Sequence, residues 1–518
     1  GGDDTPGAEN PCGCGDPATL IHDIQGNGPA SPEEGNAHVI EGIVVGDFQA
    51  VVGNDKLSGF FVQEEGADWD ADQATSEGIF VYEGSTPAVD VDLGDLVRLS
   101  GTVNEYYDLT EMVDLTNLIR CSTGNAVGAT PVTLPETVDD ELEQYEGMFV
   151  EIVNDMTVSQ NYFLGRYGQM TLSSGGRMFQ PTNQYLPGSP EGLALAAENA
   201  LRVLILDDGM DVDSCGDNPK PVPYLGPPPP DVIRAGDTVS NLVGVLDYGK
   251  INAGTACWDL STFNYDYRLH PVLDPVFAQT NPRPAAPEDV GGTVKVASFN
   301  VLNYFTTLDD GGDICGPEGD MECRGADSGD ELNRQRDKIV KAMCTIDADI
   351  FGLMELENPY SGNDPDAGDG IDNYVLKDLV EALNGSDSCP DDYWFTDSYT
   401  VGTDAIRQGI IYKTGVVTPT GRAVLDDPSF TDPNGIGEQK SRPAIAETFE
   451  DVNGEHLTVV VNHLKSKGSP CDVLGVNEGD DDDTQGNCND TRTKGAIALM
   501  NWLATNPTGS GDPDFLII

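Results

Sequence analysis

The chain has 518 residues, 89 acidic against 27 basic, for a net charge of −62. That length excludes a single hydrophobic core, and no run of about eighteen apolar residues exists to form a membrane-spanning helix. The acidity makes a soluble surface that repels polyanions at long range and suits a saline medium, where the Debye length shrinks to about 3 Å near 1 M salt.

In chain order, residues 1–36 are Gly/Asp/Pro-rich and read as an extended segment, ordered where Cys12 or Cys14 anchors it. The opening "GGDDTPGAEN" reads as the start of a processed product whose leader is gone. Short strand-like runs follow over 37–125: "HVIEGIVVGDF", "LSGFFVQEEG", "EGIFVYEG" and "GDLVRLSGTVNEYYDLTEMV". Turn signals separate them, and about five such strands predict a small β-barrel. A second β-rich module spans 126–280, with one short helix expected in "PEGLALAAENALRVLIL" and an exposed loop at "GPPPPD". Both modules close on "G-D-x-V" and an apolar strand, a hint of repetition.

Residues 281–292, inside "QTNPRPAAPEDVGG", are a Pro/Gly linker. Over 293–518 the grammar changes. "TVKVASFNVLNY" is a strand, "ELNRQRDKIVKAMCTIDADIFGLMELEN" a helix running into a strand, and "YVLKDLVEALN" a helix. "AIRQGIIYKTGVV", "SRPAIAETFE" and "HLTVVVNHLKS" are strands, "DTRTKGAIALMNWLAT" is a helix and "DFLII" a strand. Such alternation defines a layered α/β domain.

Eleven cysteines point to an oxidising, exported setting. "DICGPEGDMEC" and "CDVLGVNEGDDDDTQGNC" read as disulfide-closed loops, Cys315 with Cys323 and Cys471 with Cys488, each contributing about 2–3 kcal/mol. Cys344, Cys389, Cys215 and Cys257 are the other disulfide candidates, and the odd count leaves one thiol over. Paired CxxC motifs for zinc are absent.

Four polar residues end otherwise apolar strands: Asn300 in "VASFNVLN", Glu355 in "DIFGLMELEN", Arg442 in "KSRPAIAETF" and His463 in "VVVNHLKSKG". A carboxylate with an amide can hold Mg²⁺ or Ca²⁺ through oxygen. A neighbouring His can transfer a proton near neutral pH, and an Arg can grip a phosphate. Together they describe metal-assisted phosphoester hydrolysis. Each alone has a plainer reading as a solvated carboxylate, a structural imidazole or a loop cap. Their shared strand-end setting sets them apart. The basic residues lean the same way, since 16 of the 27 lie after Val294.

From about Thr293 onward the chain resembles the endonuclease/exonuclease/phosphatase superfamily, to which pancreatic deoxyribonuclease belongs. "ASFNVLNY", "DADIFGLMELEN", "GIIYK", "SRPAIAETF", "VVVNHLKSKG" and "RTKGAIALMNWL" carry the resemblance. With "IEGIVVGDFQ", "NYFLGRYGQMTLSSGGRMFQPTN" and "QGNCNDTR", the whole chain after about residue 18 is similar to secreted bacterial nucleases with oligonucleotide-binding (OB)-like barrels before the nuclease domain. The implied fold is multidomain: two β-rich, OB-like barrel modules, then an α/β sandwich of the endonuclease/exonuclease/phosphatase type.

The resemblance implies that Glu355 is a metal ligand, with Asn300 positioning metal or phosphate. Arg442, Asn462 and Lys465 would meet substrate phosphate, with Lys467 adding charge. His463 would protonate the leaving oxygen or hydrogen-bond the phosphate, oriented by Asp404. Glu357 stands where the pancreatic enzyme has an arginine, so no phosphate contact is expected there. The family pattern also continues beyond a strand like "DFLII" into Gly-Asp-x-Asn and a later Asp-His, so a continuation past Ile518 is expected.

The implied function is extracellular, metal-dependent hydrolysis of DNA, with RNA as a further substrate, in a bacterial protein of a marine or saline setting. Alternatives are a same-fold phosphoesterase acting on a lipid or small molecule, and a non-catalytic surface or matrix protein, with room for self-association. Phe60, Phe61, Tyr106, Tyr107 and Tyr162 could stack bases, although aromatic residues of small barrels are more often core. "EGDDDDTQGNC" lacks the D-x-D-x-D-G spacing of a calcium loop and reads as a solvated acidic loop, with bound calcium the alternative.

Overall fold

The computed structural model describes residues 13–49, 57–87, 89–210, 222–225, 232–251, 264–359, 374–389, 392–396, 400–435, 437–468, 470–471 and 486–518. Cys12, Cys215, Cys257, "GPPPPD" and most of the acidic loop lie outside those residues. The chain divides into two compact units, Gly1–Arg283 and Pro284–Ile518.

In the first unit, β1 (Ala37–Phe48), β2 (Gly59–Gln63), β3 (Gly78–Tyr82), β4 (Leu96–Tyr106) and β5 (Leu109–Ser122) close into a barrel of order β1-β2-β3-β5-β4. All pairs are antiparallel except β3 with β5. Alternation along β2 sends Phe60 and Val62 into the barrel, while Phe61 faces outward onto Phe48, Phe80 and Val245. Phe60 and Phe61 are therefore core, whereas Tyr106, Tyr107 and Tyr162 are exposed.

A helix, α1 (Ile21–Gln25), occupies the segment expected to be extended. Ile21 and Ile24 join the barrel core, each burial favourable by about 1.5–3 kcal/mol. Gly26, at φ 69°, ends the helix, and a Cys14–Cys121 disulfide ties its approach to β5.

Nine further strands form one sheet: β6 (Thr130–Val132), β7 (Phe149–Ile152), β8 (Met156–Gln160), β9 (Met170–Ser173), β10 (Val203–Leu206), β11 (Thr238–Ser240), β12 (Leu242–Ile251), β13 (Asn264–Pro271) and β14 (Val276–Ala278). Their order is β14-β11-β8-β9-β10-β13-β12-β7-β6. Two short helices, α2 (Leu164–Tyr167) and α3 (Pro190–Ala200), are inserted, and Ser189 caps α3 by accepting from the Gly192 N–H. Gly78 and Gly147 bring β3 against the turn before β7. A Cβ at Gly78 would lie 2.3 Å from the Gly147 carbonyl, so neither position has room for a side chain.

The second unit is a four-layer sandwich. One sheet orders β15 (Val296–Tyr304), β18 (Ile350–Glu357), β20 (Ile406–Lys413) and β19 (Tyr393–Phe395). The other orders β21 (Val417–Leu425), β22 (Arg442–Asp451), β23 (His456–His463) and β24 (Phe515–Ile517). A small hairpin, β16 (Asp313–Cys315) with β17 (Met321–Glu322), is closed by Cys315–Cys323.

The sheets meet through Ile350, Ile410, Phe449, Val459 and Val461. Gly352 permits that contact, because a Cβ there would come within 2.8 Å of Val461 and 2.3 Å of Ile518. Helices α4 (Gly329–Ile346) and α5 (Tyr374–Asn384) cover one outer face, while α6 (Pro428–Thr431) and α7 (Asn489–Leu503) cover the other. Ser328 caps α4 through the Glu331 N–H. Disulfides join Cys344 to Cys389 and Cys471 to Cys488. Among the described residues no helix is long and apolar enough to cross a membrane.

Candidate active site

Strands β15 and β18 run parallel in register from Val296↔Ile350 to Asn300↔Met354, then skip to Tyr304↔Leu356. Pairing of β18 with β20 also shifts between Leu353 and Leu356. At this double irregularity Leu302, Asn303 and Glu355 are left-handed, with φ of 55°, 52° and 65°. Such a conformation costs roughly 1–3 kcal/mol for a residue with a Cβ, so the surroundings must hold it.

Hydrogen bonds do so. Asn300 Nδ2 donates to Glu355 Oε1 at 2.8 Å, and the Asn303 N–H donates to Glu355 Oε2 at 3.2 Å. The Leu302 N–H donates to Asn300 Oδ1 at 2.8 Å. The break thus turns an amide and a carboxylate out of the sheet toward each other.

His463 ends β23 and stands opposite Arg442 in the β22–β23 register. Its Nε2 is 3.8 Å from Glu355 Oε1. Burial, then the Arg442 charge, lower the His463 pKa, outweighing Glu355 and Asp404. The neutral imidazole is the form favoured at neutral pH.

Asp404 does not hydrogen-bond His463. Its Oδ2 accepts from Arg442 Nε at 2.8 Å and pairs with Nη2 at 2.7 Å, while Oδ1 lies 3.2 Å from Arg324 Nη2. Asn358 fixes the Asp404 loop by donating to the Val401 and Asp404 carbonyls at 2.9 and 2.8 Å. Asn462 turns into the sheet instead, where its backbone N–H and Nδ2 both donate to Ile518 O at 2.9 Å. Lys465 Nζ is 3.3 Å from Ser466 Oγ, and its pKa is lowered by burial and by Arg442, Lys440 and Arg492.

Two further residues support the site: Gln408, which the sequence does not single out, and Glu357, where no phosphate contact is expected. Gln408, only 1% exposed, accepts from the His463 N–H at 3.1 Å and donates to Pro443 O at 3.2 Å when its amide is oriented to satisfy both. Glu357 Oε2 accepts from the Thr306 and Thr307 N–H groups at 2.7 and 3.2 Å, fixing the turn after β15. Gln408 belongs to an apolar-looking strand, so only its polarity within a buried run could have marked it.

The donor set fits a hard cation. Glu355 presents two oxygens, each accepting one N–H and keeping a lone pair, and Asn300 adds an amide oxygen. Among the described residues, clusters of three or more His, Cys, Asp or Glu within 4.8 Å all lie in the first unit. With these few protein ligands, an ion held at Glu355 would keep much of its water.

No family model matches the chain, and no curated protein matches it. Among solved structures, it is similar to an endonuclease/exonuclease/phosphatase family protein from Bacteroides thetaiotaomicron, at 15% identity and TM-score 0.25 over 42% of this chain and 60% of that one. A mannosyl-6-phosphatase from Bacteroides thetaiotaomicron VPI-5482 gives 17% identity and TM-score 0.25 over 42% and 61%. An endonuclease/exonuclease/phosphatase from Bacteroides vulgatus gives 14% and 0.22 over 40% and 59%. The chain spans about three fifths of the length of these solved chains. At such low scores the likeness assigns no activity, and the chemistry rests on the geometry.

Proposed function

We propose that the chain is an exported, divalent-metal-dependent phosphodiesterase of the endonuclease/exonuclease/phosphatase type that cleaves DNA, with RNA as the alternative nucleic-acid substrate. The observation carrying this reading is the convergence of three strands, with Asn300 2.8 Å and His463 3.8 Å from the same Glu355 oxygen. Glu355 and Asn300 are the residues that would hold Mg²⁺ or Ca²⁺. When bound, such an ion neutralises phosphate charge and supplies an activated water for in-line attack.

His463 then works beside that phosphate. As a neutral imidazole it donates its N–H to a phosphate oxygen. The phosphate's negative charge raises its pKa, so that it can take up and pass a proton to the leaving oxygen. Arg442 is pre-oriented by Asp404, and with Arg324, Lys465 and Arg492 it sets local positive charge within a strongly acidic chain. Screening hides the distant acidic surface beyond about 8–10 Å, so this local charge decides whether a polyanion binds.

The barrel order β1-β2-β3-β5-β4 fits a five-stranded OB-like plan, a module that would position the nuclease domain. The four disulfides among the described residues support an extracellular setting.

A panel of plasmid DNA, RNA, a sphingomyelin-type lipid and a sugar phosphate, each with and without EDTA, tests the reading. Metal-dependent turnover of the nucleic acids alone supports it. Turnover of only the lipid or sugar phosphate replaces it with a small-substrate phosphoesterase.

A further inference from the structure

The N-terminal unit holds a cavity of about 620 Å³, within the usual range of small-ligand sites, that phosphoester chemistry does not use. Five carboxylates line it: Asp72, Asp108, Asp140, Glu141 and Glu143. Among the described residues no lysine, arginine or histidine does. Asp72 comes from the β2–β3 loop and Asp108 from the β4–β5 turn, and the fold brings them to the acidic run Asp140, Glu141 and Glu143 that enters the 3-10 turn Glu141–Tyr145.

Aromatic rings supply the rest of the wall. Tyr248 of β12 and Tyr267 of β13 both line the cavity, edge to face with centroids 5.1 Å apart. Tyr248 continues into a pile of near-parallel rings, 6.4 Å to Tyr265 and then 5.1 Å to Tyr107. One ammonium already uses that pile, because Lys250 Nζ lies 5.7 Å from the Tyr107 centroid.

The negative charge is under-compensated. Tyr267 donates its hydroxyl to Glu143 Oε2 at 2.7 Å, yet burial together with Glu105, Asp140 and Asp108 still pushes the Glu143 carboxyl up. Glu146, 1% exposed, is not part of the lining, and burial, then Glu143, push its carboxyl well above the usual carboxylate range. Phosphate-bearing ligands are repelled by such a wall. A single metal ion fits poorly as well, because no three of these carboxylates bring donor atoms within 4.8 Å of one another. Charge spread along an aromatic wall suits a ligand with separated charges and an apolar stem.

We propose that this cavity binds a small linear polyamine, its ammonium groups on Glu143, Asp108 and Asp140 and its methylenes over Tyr248 and Tyr267. Spermidine, titrated calorimetrically into the full chain at low salt, is the probe, with calcium chloride titrated separately. Saturable binding of one spermidine is expected. Glu143→Gln, which keeps an acceptor for Tyr267, should weaken it at least tenfold, Asp108→Asn in its exposed turn by a similar factor, and Tyr248→Leu about fivefold. Unchanged unfolding midpoints show that the variants are folded. Absence of spermidine binding overturns the proposal, as does binding indifferent to all three variants, the mark of diffuse attraction to an acidic surface. Calcium binding that Glu143→Gln abolishes and spermidine cannot displace overturns it in favour of a metal site.

Discussion

Asn300 Nδ2 meets Glu355 Oε1 at 2.8 Å where the parallel pairing of β15 with β18 breaks, and that break turns both side chains off the sheet. Irregular pairing and a left-handed glutamate are costly in the middle of a sheet. Here they place an amide and a carboxylate beside the imidazole of a third strand.

The strain gives a first prediction. With Glu355 at φ 65°, Glu355→Gly should be more stable to urea than Glu355→Ala by about 1 kcal/mol, the reverse of the usual strand preference. Both should lose hydrolysis. An alanine variant at least as stable as the glycine variant would mean that the left-handed geometry is not retained.

Arg442 is the largest charge lowering the His463 pKa, after burial. An NMR titration should place that imidazole below its usual 6.5, and Arg442→Gln should move it upward. Because the folded value is the lower one, the unfolded chain takes up a proton below pH 6.5 that the native site refuses. Stability should fall as pH drops through that region. An unshifted or downward-moving His463 in the variant contradicts this electrostatic picture.

His270 behaves in the opposite sense. It is fully buried, 2.9 Å from Asp247 and 3.5 Å from Asp207, with Arg268 on the same carboxylates. Burial lowers its pKa, but the two aspartates outweigh that and raise it to about 9. The stabilisation is complete below pH 6.5 and is lost as pH rises toward 9. Denaturant midpoints of the first unit should decline over that window, and His270→Asn should flatten the decline.

The Cys14–Cys121 bridge closes 107 residues and should contribute about 2–5 kcal/mol. Replacing both with serine should lower the unfolding midpoint of the N-terminal unit. Unchanged stability would show that α1 and the barrel hold without it.

Much of this arrangement is readable in the chain. Apolar runs broken by Asn300, Glu355, Arg442 and His463 mark where β15, β18, β22 and β23 carry polar groups, and alternating helices and strands mark the layers. What escaped depends on register and long-range packing. Asp404 is 38 residues from Arg442, and only the fold decides that it pairs there rather than on His463. Gln408 hides within a buried strand, and α1 hides in Gly/Pro-rich sequence, although Ile21 and Ile24 belong to the barrel core. Cys14 and Cys121 have no local spacing to betray them. Phe60 and Phe61, by contrast, follow the commoner core reading of aromatic residues in small barrels, since alternation sends both into cores.

The most direct measurement is plasmid nicking by the intact protein with Mg²⁺, compared with EDTA, Glu355→Gln and His463→Ala on folded material. Nicking that EDTA abolishes, and that each substitution lowers by about 10²–10⁴-fold, is the predicted result. Near-native nicking by either variant, or none by the metal-supplied protein, contradicts the assignment of phosphodiester hydrolysis to this site.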